Sequence, residues 1–89
     1  MWLVELDAKA AKELRKLERP KQERIVRFLR DRIATEEDPR RLGKALKGQA
    51  VQLWRYRVGS FRLICSIEDE RVLVLVLRIG DLRDVYGPR

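Results

Sequence analysis

The chain has 89 residues and a net charge of +7, with 45% hydrophobic and 39% charged residues. That length suits one domain, residues 1–89, whose modest core removes roughly 60–65% of the unfolded surface from water. A lone cysteine, Cys65, and the absence of histidine exclude an intramolecular disulfide, a cysteine zinc cluster and imidazole acid–base chemistry, and suit a reducing cytosol.

The opening MWLVELD carries acids where a secretory signal needs basic residues and a long apolar run. Trp2, Leu3 and Val4 begin a short strand, with Trp2 as a packing residue. Asp7 is placed to cap a helix. Ala10, Ala11, Leu14 and Leu17 then recur among Lys, Glu and Arg, giving an amphipathic helix of about ten residues. After Glu18-Arg19, Pro20 suits the first turn of a second helix, where its missing N–H costs nothing. Ile25, Phe28, Leu29 and Ile33 form its apolar stripe, with Arg32 at the edge, and the helix ends near Thr35. Two helices joined so tightly form an antiparallel hairpin.

A polar loop through Glu36–Pro39 and a Gly-bounded connection, Leu42 to Gly48, lead into three β-type runs: Val51 to Val58, Phe61 to Ile67, and Val72 to Leu77 or Ile79. Gly59-Ser60 fits a type II′ hairpin. Glu68-Asp69-Glu70 makes the second turn, and after Gly80 the tail Asp81 to Arg89 is too interrupted by Gly and Asp to be a strand. The expected fold is α+β, in the order β-α-α-β-β-β, with the helical hairpin on one face of an antiparallel sheet and the other face open. The longest apolar run, Val72 to Leu77, is far short of a membrane span.

The charge is concentrated. Between Pro39 and Ile67 lie seven basic residues and no acid: Arg40, Arg41, Lys44, Lys47, Arg55, Arg57 and Arg62. Elsewhere acids and bases cancel. Such a field favours a polyanion, whether nucleic acid, an anionic membrane or an acidic protein. Interleaving with Trp54, Tyr56 and Phe61 on strands favours nucleic acid over a merely solvated surface. Along Val51–Val58 the side chains alternate, so Arg55 and Arg57 share one face and Trp54 and Tyr56 the other. The aromatics are the better core candidates and the arginines the better candidates for the open face; Phe61 beside Arg62 fits either. Cys65, within an apolar strand, reads as a small buried hydrophobe.

Without histidine, a cofactor loop or an acidic metal cluster, the available groups are Arg, Lys and Tyr; Asp81 and Asp84 read as a solvated loop. Arginine cannot act as a base, but it clamps phosphate and stabilises charge in a phosphorane-like transition state. Tyrosine and lysine carry protons when neighbours shift them. RNA brings its own nucleophile, the 2′-OH, so such a set can cleave RNA with no metal or cofactor, whereas DNA offers no such route.

Leu46-Lys47-Gly48, Trp54 through Arg62, Arg78-Ile79-Gly80 and Arg83-Asp84-Val85-Tyr86 resemble the RelE/ParE superfamily of toxins from type II toxin–antitoxin pairs, with the RelE branch nearest. The resemblance covers essentially the whole chain and implies the fold described above. It also implies a ribosome-dependent endoribonuclease that cuts mRNA in the A site by 2′-OH attack. On that basis Arg62, Arg83, Tyr86 and Arg55 are the catalytic candidates, and Lys44, Lys47, Arg57 and Arg78 the RNA-binding ones. Tyr86 is expected to stack on a base or assist proton transfer. The implied partners are a RelB-like cognate antitoxin, the ribosome and mRNA, with DNA reached only through the antitoxin, no membrane, and a cytoplasmic location. The same fold in ParE-like proteins implies the alternative of a non-enzymatic DNA gyrase inhibitor. The chain departs from the family pattern at Leu82, where a phosphate-contacting arginine is common, and Asp81 adds a negative charge beside it. This departure implies a weak or absent nuclease unless Arg83 or Arg78 substitutes.

Overall fold

A computed structural model describes residues 1–48 and 52–81. Strand β1 (Leu3–Leu6) leads into helix α1 (Ala8–Arg15) and helix α2 (Arg19–Phe28). Strands β2 (Lys44–Leu46), β3 (Leu53–Val58), β4 (Phe61–Glu68) and β5 (Leu73–Asp81) follow. The five strands form one sheet in the order β1-β5-β4-β3-β2.

Local chemistry accounts for the helices. Asp7 accepts a hydrogen bond from Ala10 N at 2.9 Å, capping α1 as expected. Gln22 Nε2 donates to the carbonyls of Leu17 at 2.6 Å and Arg15 at 3.3 Å, covering acceptors left over at the end of α1 and fixing the turn into α2. Pro20 sits in the first turn of α2. The second helix closes with a π-turn, Leu29–Ile33, in which Ala34 N donates to Leu29 O at 2.8 Å. An i→i+5 turn is wider than an α-turn. It therefore keeps residues four apart on one line: Ile25, Leu29 and Ile33 all face the core, and Phe28 and Arg32 follow each other beside them.

The core lies between these helices and one face of the sheet. Ala10, Leu14, Ile25, Leu29 and Ile33 meet Tyr56, Val58, Leu63, Cys65, Val74, Val76 and Ile79. A register shift beside Ile64 and Cys65 leaves Leu77 without a partner residue on β4. That one-residue bulge lets both Val76 and Ile79 point inward. Tyr56 and Cys65 are core residues, in agreement with the alternation, and Trp54 is half-buried against them. Gly59 takes a positive φ of 60° at the β3–β4 turn, as a type II′ hairpin requires of its first residue.

The sheet corrects three expectations, the first at Gly80 and Asp81, which extend β5 opposite Arg62 and Phe61 and do not begin a loop. It is mixed rather than antiparallel, because β1 pairs in parallel with β5, Leu3 opposite Leu73 through Leu6 opposite Val76. It also has five strands rather than four. β2, only three residues long and bounded by Gly43 and Gly48, has no room to display an alternating pattern, yet it pairs Lys44 with Arg55 and Leu46 with Leu53. The second helix returns the chain beside the start of β1, where Trp2 N donates to Thr35 O at 2.8 Å. β2 runs against β3, and the two further reversals at the β3–β4 and β4–β5 turns leave β5 parallel to β1. Where β1 turns away into α1, Glu13 takes over its role: its carboxylate accepts from Ile79 N at 2.7 Å and from Arg78 Nε at 3.0 Å. No helix of the described residues is long and apolar enough to cross a membrane.

A cationic cleft at the edge of the sheet

The two aromatics of β3 prepare the site without entering its chemistry. Tyr56 Oη donates to Pro39 O at 2.7 Å, and Trp54 Nε1 donates to Leu42 O at 2.6 Å. Together they tie the segment carrying the short 3-10 turn Pro39–Arg41 against β3. Gly43 completes the contact with a φ of 77°, and a side chain there would collide with the Arg55 carbonyl and approach Trp54 Nε1 to 2.8 Å. The result sets Lys44 directly across from Arg55.

β2 pairs with β3 only as far as Arg55, so among the described residues Tyr56 to Val58 form an edge with no further strand beside it. The end of the second helix lies over that edge, with Phe28 packed edge-on to Tyr56 at a ring separation of 5.7 Å. A cleft of about 410 Å³ runs round it, walled by Phe28, Arg32, Leu42, Gly43, Lys44, Arg55, Tyr56, Arg57 and Arg62. Five of these residues are cations and none is an acid.

The pairing of the cations is informative. Lys44 faces Arg55 across one strand pair, and Arg57 faces Arg62 across the next. Like charges opposite each other in a sheet cost stability, of order a few tenths of a kcal/mol per pair. Two such pairs stand side by side in the wall of the cleft.

Lys44, Arg55, Arg57 and Arg62 are thus brought together as the sequence implied. Lys47 is exposed on the turn after β2 and does not line the cleft. Arg78 lies on β5 opposite Ile64, outside the cleft and held by Glu13. Arg83, Tyr86 and Leu82 lie outside the described residues. Arg32 is the member that sequence reading missed. Its position at the margin of an apolar stripe looked like packing, and its only signal was a place four residues after Phe28, on the same side of the helix.

Two groups are removed from proton-transfer roles. Burial, the largest cause, pushes the Tyr56 phenol well above the ordinary tyrosine range. Burial also pushes the Cys65 thiol up to about 12. Both stay protonated near neutral pH, so what the cleft offers is fixed positive charge and guanidinium donors.

Comparison with known proteins places this geometry. Residues 4–86 match the family model of the ParE toxin of the type II toxin–antitoxin system parDE. The chain belongs to the RelE/ParE superfamily of toxins. Toxin RelG of Mycobacterium tuberculosis is 29% identical over 85 residues, covering 96% of this chain and 95% of that protein. The toxin–antitoxin complex RelBE2 of the same species holds a chain that superposes with a TM-score of 0.81 at 28% identity, over 90% of each chain. An archaeal RelE–RelB complex from Pyrococcus horikoshii gives a TM-score of 0.71 at 25% identity, over 90% of this chain and 93% of that one. The isolated RelE toxin of E. coli, at 24% identity and a TM-score of 0.70, shares the fold. This toxin therefore has relatives whose structures were solved in the embrace of an antitoxin.

Proposed function

We propose that the protein is a ribosome-dependent mRNA endoribonuclease of the cytoplasm, held inactive by a cognate RelB-like antitoxin. The observation that carries this reading is the pair of like-charge cross-strand neighbours, Lys44 with Arg55 and Arg57 with Arg62, in one cleft with no acid among its described lining residues. In the proposed reaction the 2′-oxygen of the substrate attacks the adjacent phosphorus and the P–O5′ bond breaks. The products are a 2′,3′-cyclic phosphate and a 5′-hydroxyl. The proton lost by the 2′-OH and the proton gained by the leaving 5′-oxygen balance. Arg55 and Arg62 hold the non-bridging oxygens as charge builds in the phosphorane. Arg57, Lys44 and Arg32 hold flanking phosphates. From the tail, Arg83 adds a further cation, and Tyr86 stacks on a base or assists a proton transfer. Lys47 and Arg78 would contact RNA only outside the cleft, Arg78 after release from Glu13. DNA contact by the toxin–antitoxin pair would come through the antitoxin.

Primer extension on an mRNA undergoing translation tests this. The wild-type protein should produce cuts within A-site codons only when ribosomes are present. Arg62→Ala should lower the rate at least a hundredfold, the order found when one transition-state donor is removed, and leave the melting temperature unchanged. Cleavage by Arg62→Ala at the wild-type rate would remove Arg62 from the centre of the site.

A second reading has one specific support, the match to the ParE family model. On that reading the cationic cleft grips DNA gyrase and inhibits it without catalysis. Inhibition of gyrase supercoiling together with intact mRNA would establish it in place of the nuclease.

A further inference from the structure

The arginine surface does not end with the cleft that holds Arg62. A neighbouring cleft of about 400 Å³ lies between α2 and the β3–β4 turn. Arg24, Arg27, Arg32 and Arg57 line it, and Arg32 and Arg57 also wall the first cleft. The two therefore adjoin, with Phe28, Arg32 and Arg57 as their common wall. The one acid among the described lining residues of the second cleft, Asp31, is occupied by Arg30, which donates to it at 2.8 and 3.3 Å and, with a smaller contribution from the charge of Arg27, holds its carboxyl below the usual range. Gly59 is what admits Arg24, since a side chain there would lie 2.9 Å from Arg24 Nη1. Among the described residues, Arg24, Arg27 and Arg32 have no ion-pair partner, whereas Arg30, Arg40, Arg41, Arg71 and Arg78 each meet a carboxylate.

We propose that the Arg24/Arg27 cleft is a second phosphate-binding site, which holds the backbone of the RNA strand where it continues beyond the Arg62 cleft. The inference rests on the reading of that first cleft as RNA-binding. Arginine forks matched to phosphate oxygens along adjoining clefts suit a flexible single strand, and the sequence of that strand is not read there. The second site adds length-dependent affinity, and the chemistry stays with Arg55 and Arg62.

Fluorescence anisotropy with labelled 2′-O-methyl oligouridylates, which carry no free nucleophile, tests the proposal. The wild type should bind a strand of about twelve nucleotides tighter than one of about four. Arg24→Ala/Arg27→Ala should weaken the longer strand about tenfold, leave the shorter within about twofold, and reduce the slope of log affinity against log salt by about 1.4, or about 0.7 for each phosphate lost. If the double variant does not fold by circular dichroism, Arg27→Ala alone should lower that slope by about 0.7. Lys9→Ala/Lys12→Ala, an equal loss of charge on exposed α1, should leave the length dependence in place. Wild-type affinity in Arg24→Ala/Arg27→Ala, an equal drop in the control, or an equal effect on an oligoglutamate peptide of matched charge would overturn the proposal. If mRNA is left uncut on the ribosome while the length dependence persists, the nuclease reading falls and the second site stands.

Discussion

The arginines of this protein fall into two sets. Around the rim they are self-neutralised: Arg40 is bidentate on Asp69, Arg41 meets Glu37, Arg71 meets Glu68, and Arg78 meets Glu13. In the clefts between α2 and β3, cations face cations. The first set spends its charge on carboxylates within the fold; in the second, Arg24, Arg27 and Arg32 make no ion pair among the described residues, and a polyanion can take up their charge. The contrast explains how a chain with a large excess of base need not be sticky everywhere. It also says that substitutions in the two sets should act on different quantities.

The largest effect should come from a residue without charge. Gly43 lets β2 lie on β3 and so sets Lys44 opposite Arg55. Gly43→Ala forces a side chain into a positive φ and against backbone, where nothing can yield cheaply. A loss of about 3 kcal/mol or more in denaturant unfolding is expected, accompanied by loss of RNA binding. Wild-type stability would mean that β2 is not anchored as described.

Tyr56→Phe should come next. It keeps the ring packed on Phe28 and deletes the donor to Pro39 O, at a cost of about 1–3 kcal/mol for the stranded acceptor. The same residue sets an alkaline limit. Its folded pKa lies above the unfolded value near 10, and Cys65 is likewise raised from about 9 to about 12. For both, the stabilising contribution is complete below the unfolded pKa and is lost as pH rises towards the folded one. Stability should therefore decline from about pH 9 upward, through Cys65 first and then Tyr56. Tyr56→Phe should flatten the upper part of that decline, and a profile as steep as wild type would contradict the assignment.

Glu13 lies between the two sets in consequence. Glu13→Gln retains one acceptor for Ile79 N and gives up the charge that holds Arg78, so a loss of about 1–2 kcal/mol is expected. Released, Arg78 should join the outward-facing cations and steepen the salt dependence of RNA binding. An unchanged salt slope would show that Arg78 cannot reach a bound strand.

How far the sequence discloses this arrangement depends on the range of the signal. Helix stripes, the Asp7 cap, the Gly59 turn and the inward alternation of Tyr56 and Cys65 are local, periodic features, and they read correctly. The parallel pairing of β1 with β5 joins segments about seventy residues apart in the chain, and no local pattern records it. β2 is too short to show a period. The cleft was half legible, since Arg55, Arg57 and Arg62 share strands that meet through one hairpin. Arg32 reaches them because the end of the second helix lies over β3, and Arg78 is held away from them by Glu13 from α1. Both outcomes are tertiary.

The smallest effect should come from the most regular ion pair in the molecule. Arg40 and Asp69 make two hydrogen bonds, at 3.0 and 2.7 Å, yet both side chains are in contact with solvent. Arg40 holds the Asp69 carboxyl below its ordinary range, so any stabilisation is present above the unfolded carboxylate pKa and fades as pH falls through the folded one. At neutral pH and physiological salt, exposed pairs of this kind contribute little, because water screens them and two long side chains must be ordered to form them. Arg40→Ala should therefore leave the melting temperature nearly unchanged and leave cleavage and RNA affinity at wild-type values, although Arg40 sits in the same acid-free stretch of sequence as Arg55 and Arg62. A marked loss of RNA affinity in Arg40→Ala would show that the bond to Asp69 does not keep Arg40 from the ligand.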